Sequence, residues 1–347
     1  MEDIIGSESN DERFAVFLAD WRAVLSRRIE QVRKELTEID GLPAAVLSGS
    51  HGRGSPWPLS DIDVILIAET GREEEVREAV EAVRVRLIAA WAKEGWWTGL
   101  DAGRLLFSVD EVDRVAADGR TPVLALDDSR WFHTMDKAFG GRPLLDDAEG
   151  RAARLATWAT TSRFDPEVVR ERSFRLWQEA TAALEAGHQA ADVGDSLRGT
   201  LALWRVVQLI QIAMMGRWGL RDNSLGRFGS RFAAAAAERG LTSVAAELDA
   251  LSGLDAESVL RRGLVAPAWV SLRHDRSFRA RREIGEEIDA LADLRDTLRV
   301  SARYDALKYT GPDFPNWLEV VTERDDLRRR LDTVGWIVVA TWEPSIM

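Results

Sequence analysis

At 347 residues the chain is long for one small core, and two domains are the default expectation. Its formal charge of −12 disfavours a nucleic-acid partner, because displacing counterions from a polyanion needs a Lys/Arg surface. The absence of cysteine excludes disulfides, zinc-thiolate sites and thiol catalysis, and four histidines, at 51, 133, 188 and 274, are too scattered for a histidine-rich metal centre.

The opening residues are acidic and lack the basic and apolar regions of a signal peptide. No apolar run approaches the roughly 18 residues of a membrane span. The expectation is a soluble, cytoplasmic protein with no membrane partner. Residues 10–39 carry helical periodicity, with Phe14, Phe17, Leu18, Trp21, Leu25, Val32 and Leu36 recurring every three or four positions. Gly41-Leu42-Pro43 stops that helix.

An apolar strand, Ala45-Val46-Leu47, then breaks into Gly49-Ser50-His51-Gly52-Arg53-Gly54-Ser55. Glycines this close let backbone N–H groups approach an anion that side chains would obstruct. After Pro56-Trp57-Pro58 the chain returns as a second strand, Ser60-Asp61-Ile62-Asp63-Val64-Ile65-Leu66-Ile67. Alternation places Asp61 and Asp63 on one face of it, about 6–7 Å apart. Two carboxylates that close repel in a dry site but suit a hard cation, since Mg²⁺ takes one or two carboxylates plus phosphate oxygens. A phosphate-cradling loop feeding a paired-Asp strand reads as a site for a metal-bound nucleoside triphosphate.

The run GSHGRGSPWPLSDIDV resembles the signature of the DNA polymerase β-type nucleotidyltransferase superfamily, and is most similar to the PII-protein uridylyltransferase branch and its bacterial relatives. The resemblance covers roughly residues 40–150. It implies an α+β domain with a mixed sheet and a third carboxylate on a neighbouring strand. Gly99-Leu100-Asp101-Ala102-Gly103 matches that branch's G-L-acidic-x-G segment, which makes Asp101 the candidate and Asp110 the rival. Ser108-Val109-Asp110-Glu111 also reads as a capping box opening a short helix, a role that accounts for Asp110 without chemistry.

Between these landmarks a helix is predicted over 72–94, buried along Val76, Val80, Val83, Leu87 and Trp91, and a strand over 98–108. Pro122-Val123-Leu124-Ala125-Leu126 and Trp131-Phe132-His133-Thr134-Met135 are ambiguous between strand and helix. Gly140-Gly141-Arg142-Pro143-Leu144-Leu145 reads as an edge segment closing the first domain, with the boundary at 148/149. Residues 149–347 read as an all-helical domain: 165–186, 197–218, 224–239, 242–251, 278–307 and 315–334, several opened by capping residues. There is no internal repeat. The cleft between the two domains is the expected site.

The expected chemistry is in-line attack of an acceptor hydroxyl on the α-phosphorus of the triphosphate. Asp61 and Asp63 hold Mg²⁺, and Asp101 bridges to a second Mg²⁺ or serves as base. Gly49, Ser50, Gly52, Arg53, Gly54 and Ser60 make up the phosphate-binding set, with Arg53 offering a bidentate fork and Ser60 a local bond that orients the start of the strand. His51 touches substrate or packs, and Trp57 is the one tryptophan placed to stack on it. Arg217, Arg221 and Arg227 bind an anionic acceptor or form a solvated turn. His274-Asp275 lacks the upstream histidines of a phosphohydrolase site. The acidic charge and the missing phosphohydrolase region favour a small-molecule acceptor. The alternatives are a protein acceptor, as in the resembled uridylyltransferases, and a nucleotide-binding regulatory module without transfer.

Overall fold

Alternation of apolar residues gives the first unit its two-sided sheet. The computed structural model describes residues 8–116, 122–221, 225–305, 317 and 320–342. The chain divides into two compact units, Met1–Val168 and Val169–Met347.

In the first unit the predicted 10–39 helix is two: α1 (Glu8–Ala19) and α2 (Trp21–Thr37), separated at Asp20, whose φ of −134° leaves the helical region. Then follow β1 (Ala44–Ser48), a single turn α3 (Gly49–Gly52), β2 (Ile62–Ala68), α4 (Glu73–Glu94), β3 (Leu100–Ser108), α5 (Val109–Val115), a 3₁₀ segment (Pro122–Asp127), α6 (Ser129–Ala138), β4 (Arg142–Leu145) and α7 (Arg151–Ser162). The strands form one mixed sheet in the order β3-β2-β1-β4, with β1 antiparallel to β2 and β4, and β2 parallel to β3. The segment after Gly141 thus forms an edge strand, as read.

Ala45, Leu47, Ile62, Val64, Leu66, Leu100 and Leu106 face α2 and α4, packing on Val32, Leu36, Val80, Leu87 and Trp91. Val46, Ile65, Ile67, Leu105 and Phe107 face the opposite way, onto Val112 of α5, Trp131, Met135 and Ala138 of α6, and Leu155, Trp158 and Ala159 of α7. Helix α7, which follows position 148, belongs to this first core. The ambiguous stretch around Trp131 is helical because Asp128 caps it, accepting from the Arg130 N–H at 2.8 Å, and because Trp131, Met135 and Ala138 fall on one face. The capping box at Ser108–Glu111 is present in both directions, at 3.1 and 2.8 Å.

The second unit is helical: α8 (Pro166–Asp192, beginning just before the division), α9 (Ser196–Arg217), a 3₁₀ turn (Leu225–Arg227), α10 (Phe228–Glu238), α11 (Thr242–Leu251), α12 (Ala256–Val265), α13 (Ala268–Glu283), α14 (Ala290–Asp305) and α15 (Arg324–Trp342). The predicted 278–307 helix is broken. Gly285 takes φ +75°, and its N–H and that of Glu286 donate back to the carbonyls of Arg282 and Arg281, ending α13 in a Schellman turn. Asp289 then caps α14, accepting from the Ala292 N–H at 2.8 Å. The predicted 315–334 helix is shifted: residues 320–323 precede it, α15 runs on to Trp342, and 315–316 lie outside the described residues. Helix α12, capped by Asp255, was not anticipated, and α11 opens on Leu241 without a side-chain cap.

Helix α9 is, among the described residues, the one long and apolar enough to cross a membrane, contrary to the expectation that none approached that length. Of its most apolar window 56% is buried within the fold. Gly199 of α9 and Gly187 of α8 admit the side chains of Leu327 and Leu331 from α15, where a Cβ would fall 2.6 and 2.8 Å from leucine methyls. Arg281, fully buried, bridges Asp293 at 2.9 Å and Asp296 at 3.2 Å, and Asp296 accepts from the N–H groups of Gly229 and Ser230 that open α10.

The indole of Trp131 lies 4.2 Å from the Phe107 ring and 5.5 Å, edge-on, from that of Trp158, between sheet and helices. Trp131→Ala is expected to destabilise the first unit by about 3–5 kcal/mol. Urea denaturation followed by circular dichroism measures this, and a loss under about 1 kcal/mol would contradict the packing.

Candidate active site

The odd-numbered residues of β2 and β3 point to the α6 side of the sheet, and at its N-terminal end those residues are acidic. Asp63 and Asp101 are direct partners across the parallel β2–β3 pair. Asp61 stands just before β2, whose first residue, Ile62, donates its N–H to the Gly99 carbonyl at 2.8 Å. The pairing brings Asp61, Asp63 and Asp101 to one corner. Asp110 lies past the far end of β3, exposed in the first turn of α5, and takes no part.

Two glycines make room for this corner. A Cβ on Gly49, which has φ +62°, would sit 1.8 Å from Oδ2 of Asp63. A Cβ on Gly99 would come within 3.1 Å of the Asp61 Cβ. Gly49 therefore admits a carboxylate of the chain itself rather than serving only an outside anion. Gly52 is likewise closed off, by the Leu47 carbonyl at 2.5 Å and the Gly141 Cα at 3.0 Å. Gly54, at φ +70°, has nothing within 4 Å and serves the turn.

The loop is held by its serines. Ser50 Oγ donates to Ser60 Oγ at 2.9 Å, and Ser60 Oγ accepts the Trp57 N–H at 3.0 Å, the local bond expected of Ser60. Arg53 lies along Gly140, where a Cβ would meet its Cγ at 2.8 Å. His51 is buried, and burial first, then the positive charge of Arg142, lowers its pKa to about 4, so the ring is neutral at physiological pH. Trp57 is 8% exposed and packs inside the loop instead of offering an open face for stacking.

A residue absent from the sequence reading completes the corner. Lys137, next to the last residue of α6, places its ammonium against Asp63 Oδ1 and 3.7 Å from Asp101 Oδ2. Burial works against its charged form, but the carboxylates of Asp63 and Asp61 outweigh that and raise its pKa. Nothing in spacing or periodicity links position 137 to position 63. The available signal was compositional, one of four lysines in a chain whose other basic residues are arginine.

Asp61 touches water at the rim, yet protein crowds around it. That desolvation first, and the Asp63 carboxylate second, raise its pKa to about 6, with Lys137 pulling the other way. Among the described residues no three acidic or histidine side chains are already drawn together as metal ligands. Asp63 and Asp101 instead flank an ammonium, a stand-in cation, and the Asp61 charge acts on it electrostatically. Hard oxygen donors gathered around a positive charge are the donor set that Mg²⁺ takes, so the residues fit the ion in kind.

The arginines singled out in the helical unit have separate surroundings. Arg217 lines an apolar cavity of about 290 Å³ with Trp177, Leu209, Met214 and Trp218. Arg227 is buried and pairs with Glu286 at 3.4 Å. Arg221 adjoins residues 222–224, which lie outside the described residues, as does the start of the helix predicted over 224–239. His274 faces the Ala290 carbonyl at 3.0 Å and Asp293 at 3.6 Å, whereas Asp275 pairs with Arg279, so the two form no dyad.

Comparison with known proteins places a class beside this geometry. No family model matches the chain. Part of it is similar to bifunctional uridylyltransferase/uridylyl-removing enzymes. That of Bordetella pertussis is 34% identical over 111 residues, 31% of this chain and 12% of the relative. That of Xanthomonas campestris pv. campestris is 31% identical over 150 residues, 43% and 14%. That of Novosphingobium aromaticivorans is 29% identical over 132 residues, 38% and 13%. The chain thus matches only 12–14% of the length of these relatives. This partial similarity supports a nucleotidyltransferase-like relationship.

Three substitutions test the corner. Gly49→Ala adds both positive-φ strain and a clash with Asp63, and should lower stability by about 2–4 kcal/mol, against about 1 kcal/mol for Gly54→Ala, which adds strain alone. Thermal denaturation of the pair reads the difference, and equal losses would contradict the Gly49–Asp63 contact. Because the folded-state pKa of Asp61 is raised from 3.8 to about 6, its ionisation disfavours the folded state as pH climbs through that interval. Asp61→Asn should leave Tm unchanged near pH 3.5 and raise it near pH 7.5; a lower Tm at the higher pH would refute that assignment.

Proposed function

We propose that this chain is a nucleotidyltransferase that moves a nucleoside monophosphate from a nucleoside triphosphate to a hydroxyl of a protein acceptor, releasing pyrophosphate. The observation that carries the reading is the convergence of Asp61, Asp63 and Asp101 beside the Gly49–Gly54 loop. The partial similarity to uridylyltransferases supports the general activity. It also shifts the acceptor from the small molecule suggested by composition to a protein, as in the branch that the motif resembles, and makes UTP the first nucleotide to test.

Asp61, Asp63 and Asp101 would hold the divalent ion that accompanies the nucleotide, which when bound neutralises triphosphate charge and lowers the barrier to phosphoryl attack. The remaining work falls to the chain's own groups. Gly49 fixes Asp63 by leaving space for its carboxylate, and the β2–β3 register fixes Asp101 beside it. Asp101, about a third exposed, is open to an incoming hydroxyl and suited to accept its proton. As the acceptor oxygen bonds to the α-phosphorus, the bond from that phosphorus to the bridging oxygen breaks and pyrophosphate leaves. The turn holds its own shape, the N–H groups of Arg53, Gly54 and Ser55 donating to the carbonyls of Gly49, His51 and Ser50, and positioning rather than covalent chemistry carries the rate.

The test is incubation with each α-labelled nucleoside triphosphate, Mg²⁺ and cell lysate. Label should move to a protein band, fastest from UTP, and Asp61→Asn or Asp63→Asn should reduce transfer by about 10²-fold or more. Label in the small-molecule fraction alone would restore the small-molecule acceptor. Nucleotide binding without pyrophosphate release would leave a regulatory module in place of an enzyme.

A further inference from the structure

Of the 46 basic residues in the chain only four are lysine: Lys34, Lys93, Lys137 and Lys308. The ion pairs that knit the fold are made by arginine. Arg151 holds Asp113 and Asp147, Arg163 holds Asp136, and Arg281 holds Asp293 and Asp296. Lys34 and Lys93 are exposed. The cation set among the candidate carboxylates is a lysine, in a chain whose habit for that task is arginine.

The difference between the two side chains is physical. A guanidinium grips a carboxylate through a planar fork and resists release, whereas an ammonium is a compact point charge on a flexible stem. Of the two it is the nearer to a bare metal ion. The Lys137 side chain remains 29% exposed, so its end can swing into solvent, while Asp63, 8% exposed, cannot follow it. One ammonium also neutralises only part of the charge of three carboxylates, leaving the corner attractive to a divalent ion.

We propose that Lys137 is a resident counter-cation: it holds Asp63 and Asp101 in place in the nucleotide-free chain and is displaced when a divalent ion enters. This deepens the function proposed above and rests on it. Displacement by metal alone strands the ammonium away from its carboxylates, whereas a triphosphate arriving with the metal gives it new anionic partners. Metal and nucleotide therefore bind cooperatively, each weak without the other. Lys137 is thus a positioning residue that makes metal occupancy conditional on nucleotide.

The test reads metal and amine, not turnover. Mn²⁺ binding to the full chain is measured by electron paramagnetic resonance, with and without a non-hydrolysable UTP analogue. Lys137→Met should bind Mn²⁺ alone at least about tenfold more tightly than the natural chain and lose most of the cooperativity with nucleotide. Lys137→Arg keeps the charge and the fold but holds the carboxylates by its fork, and should bind Mn²⁺ with nucleotide about tenfold more weakly. A merely structural salt bridge predicts that Lys137→Arg behaves like the natural chain, and that result would overturn the proposal. In the unmutated protein, acetylation followed by mass spectrometry should find Lys137 protected relative to Lys34 and Lys93, and released by millimolar Mn²⁺; unchanged protection would also overturn it. If the natural chain binds Mn²⁺ with nucleotide but Lys137→Met gains no affinity for Mn²⁺, the counter-cation role alone falls. If no protein binds either, the transferase reading falls too.

Discussion

Three carboxylates gathered on one face of a sheet repel one another, and the first unit is built to hold them there. The repulsion is visible in Asp61, whose pKa rises to about 6 as burial and the neighbouring Asp63 both oppose its charge. Within the Ser60-Asp61-Ile62-Asp63 segment a backbone hydrogen bond at Asp61 offsets only a small part of that. The compensation comes from three places distant in sequence: Gly49 yields space, β3 supplies the register, and α6 delivers an ammonium.

Each of those contributions depends on hydrophobic packing behind it. Lys137 reaches the carboxylates because α6 is pinned to the sheet through Trp131, Met135 and Ala138, and its end is fixed again by the buried pair of Asp136 with Arg163. Charge at 136 is thus directed to α7 and charge at 137 to the sheet edge, adjacent residues on a helix pointing different ways. On the other face, α4 covers Ile62, Val64 and Leu66, the even-numbered residues between the acids. A strand with one face wholly apolar and the other acidic at its start has one register open to it, since a slip by one residue would bury both aspartates under α4. The chemistry and the core therefore specify the same pairing.

How much of this could be read beforehand follows from what kind of information each feature needs. The glycine loop, the paired aspartates and the Ser108 capping box were legible because each is a local pattern of a few residues. Asp101 was legible only through resemblance, as strand order is not written in any one segment. Lys137 was not legible at all, for its partner stands 74 positions away and the pairing exists only once α6 docks. The glycines were read half correctly: their positive φ and crowding are real, but at Gly49 the space is taken by the chain's own carboxylate. Helix ends were missed where one residue decides them, at Asp20 and at Gly285, because the apolar periodicity on either side continues across the break.

The helical unit shows a related economy in its charges. Arg227, Arg262 and Arg281 are buried. Arg281 sits between Asp293 and Asp296, Arg227 reaches Glu286, and Arg262 donates to the carbonyls of Trp317 and Gly253 at 3.0 and 2.7 Å, its pKa lowered to about 9 chiefly by burial. Arginine suits these places because its fork meets several acceptors at once in a dry interior. Positive charge consumed inside in this way is not available to a polyanion outside, so the net charge of −12 understates how little of the basic content faces a partner. That is why the arginine-rich turn after α9, attractive as an anion site on composition, is better understood residue by residue. It is also why the proposal of a resident counter-cation rests on the exception to the arginine habit, the lysine at the carboxylate corner, and not on the abundant arginines.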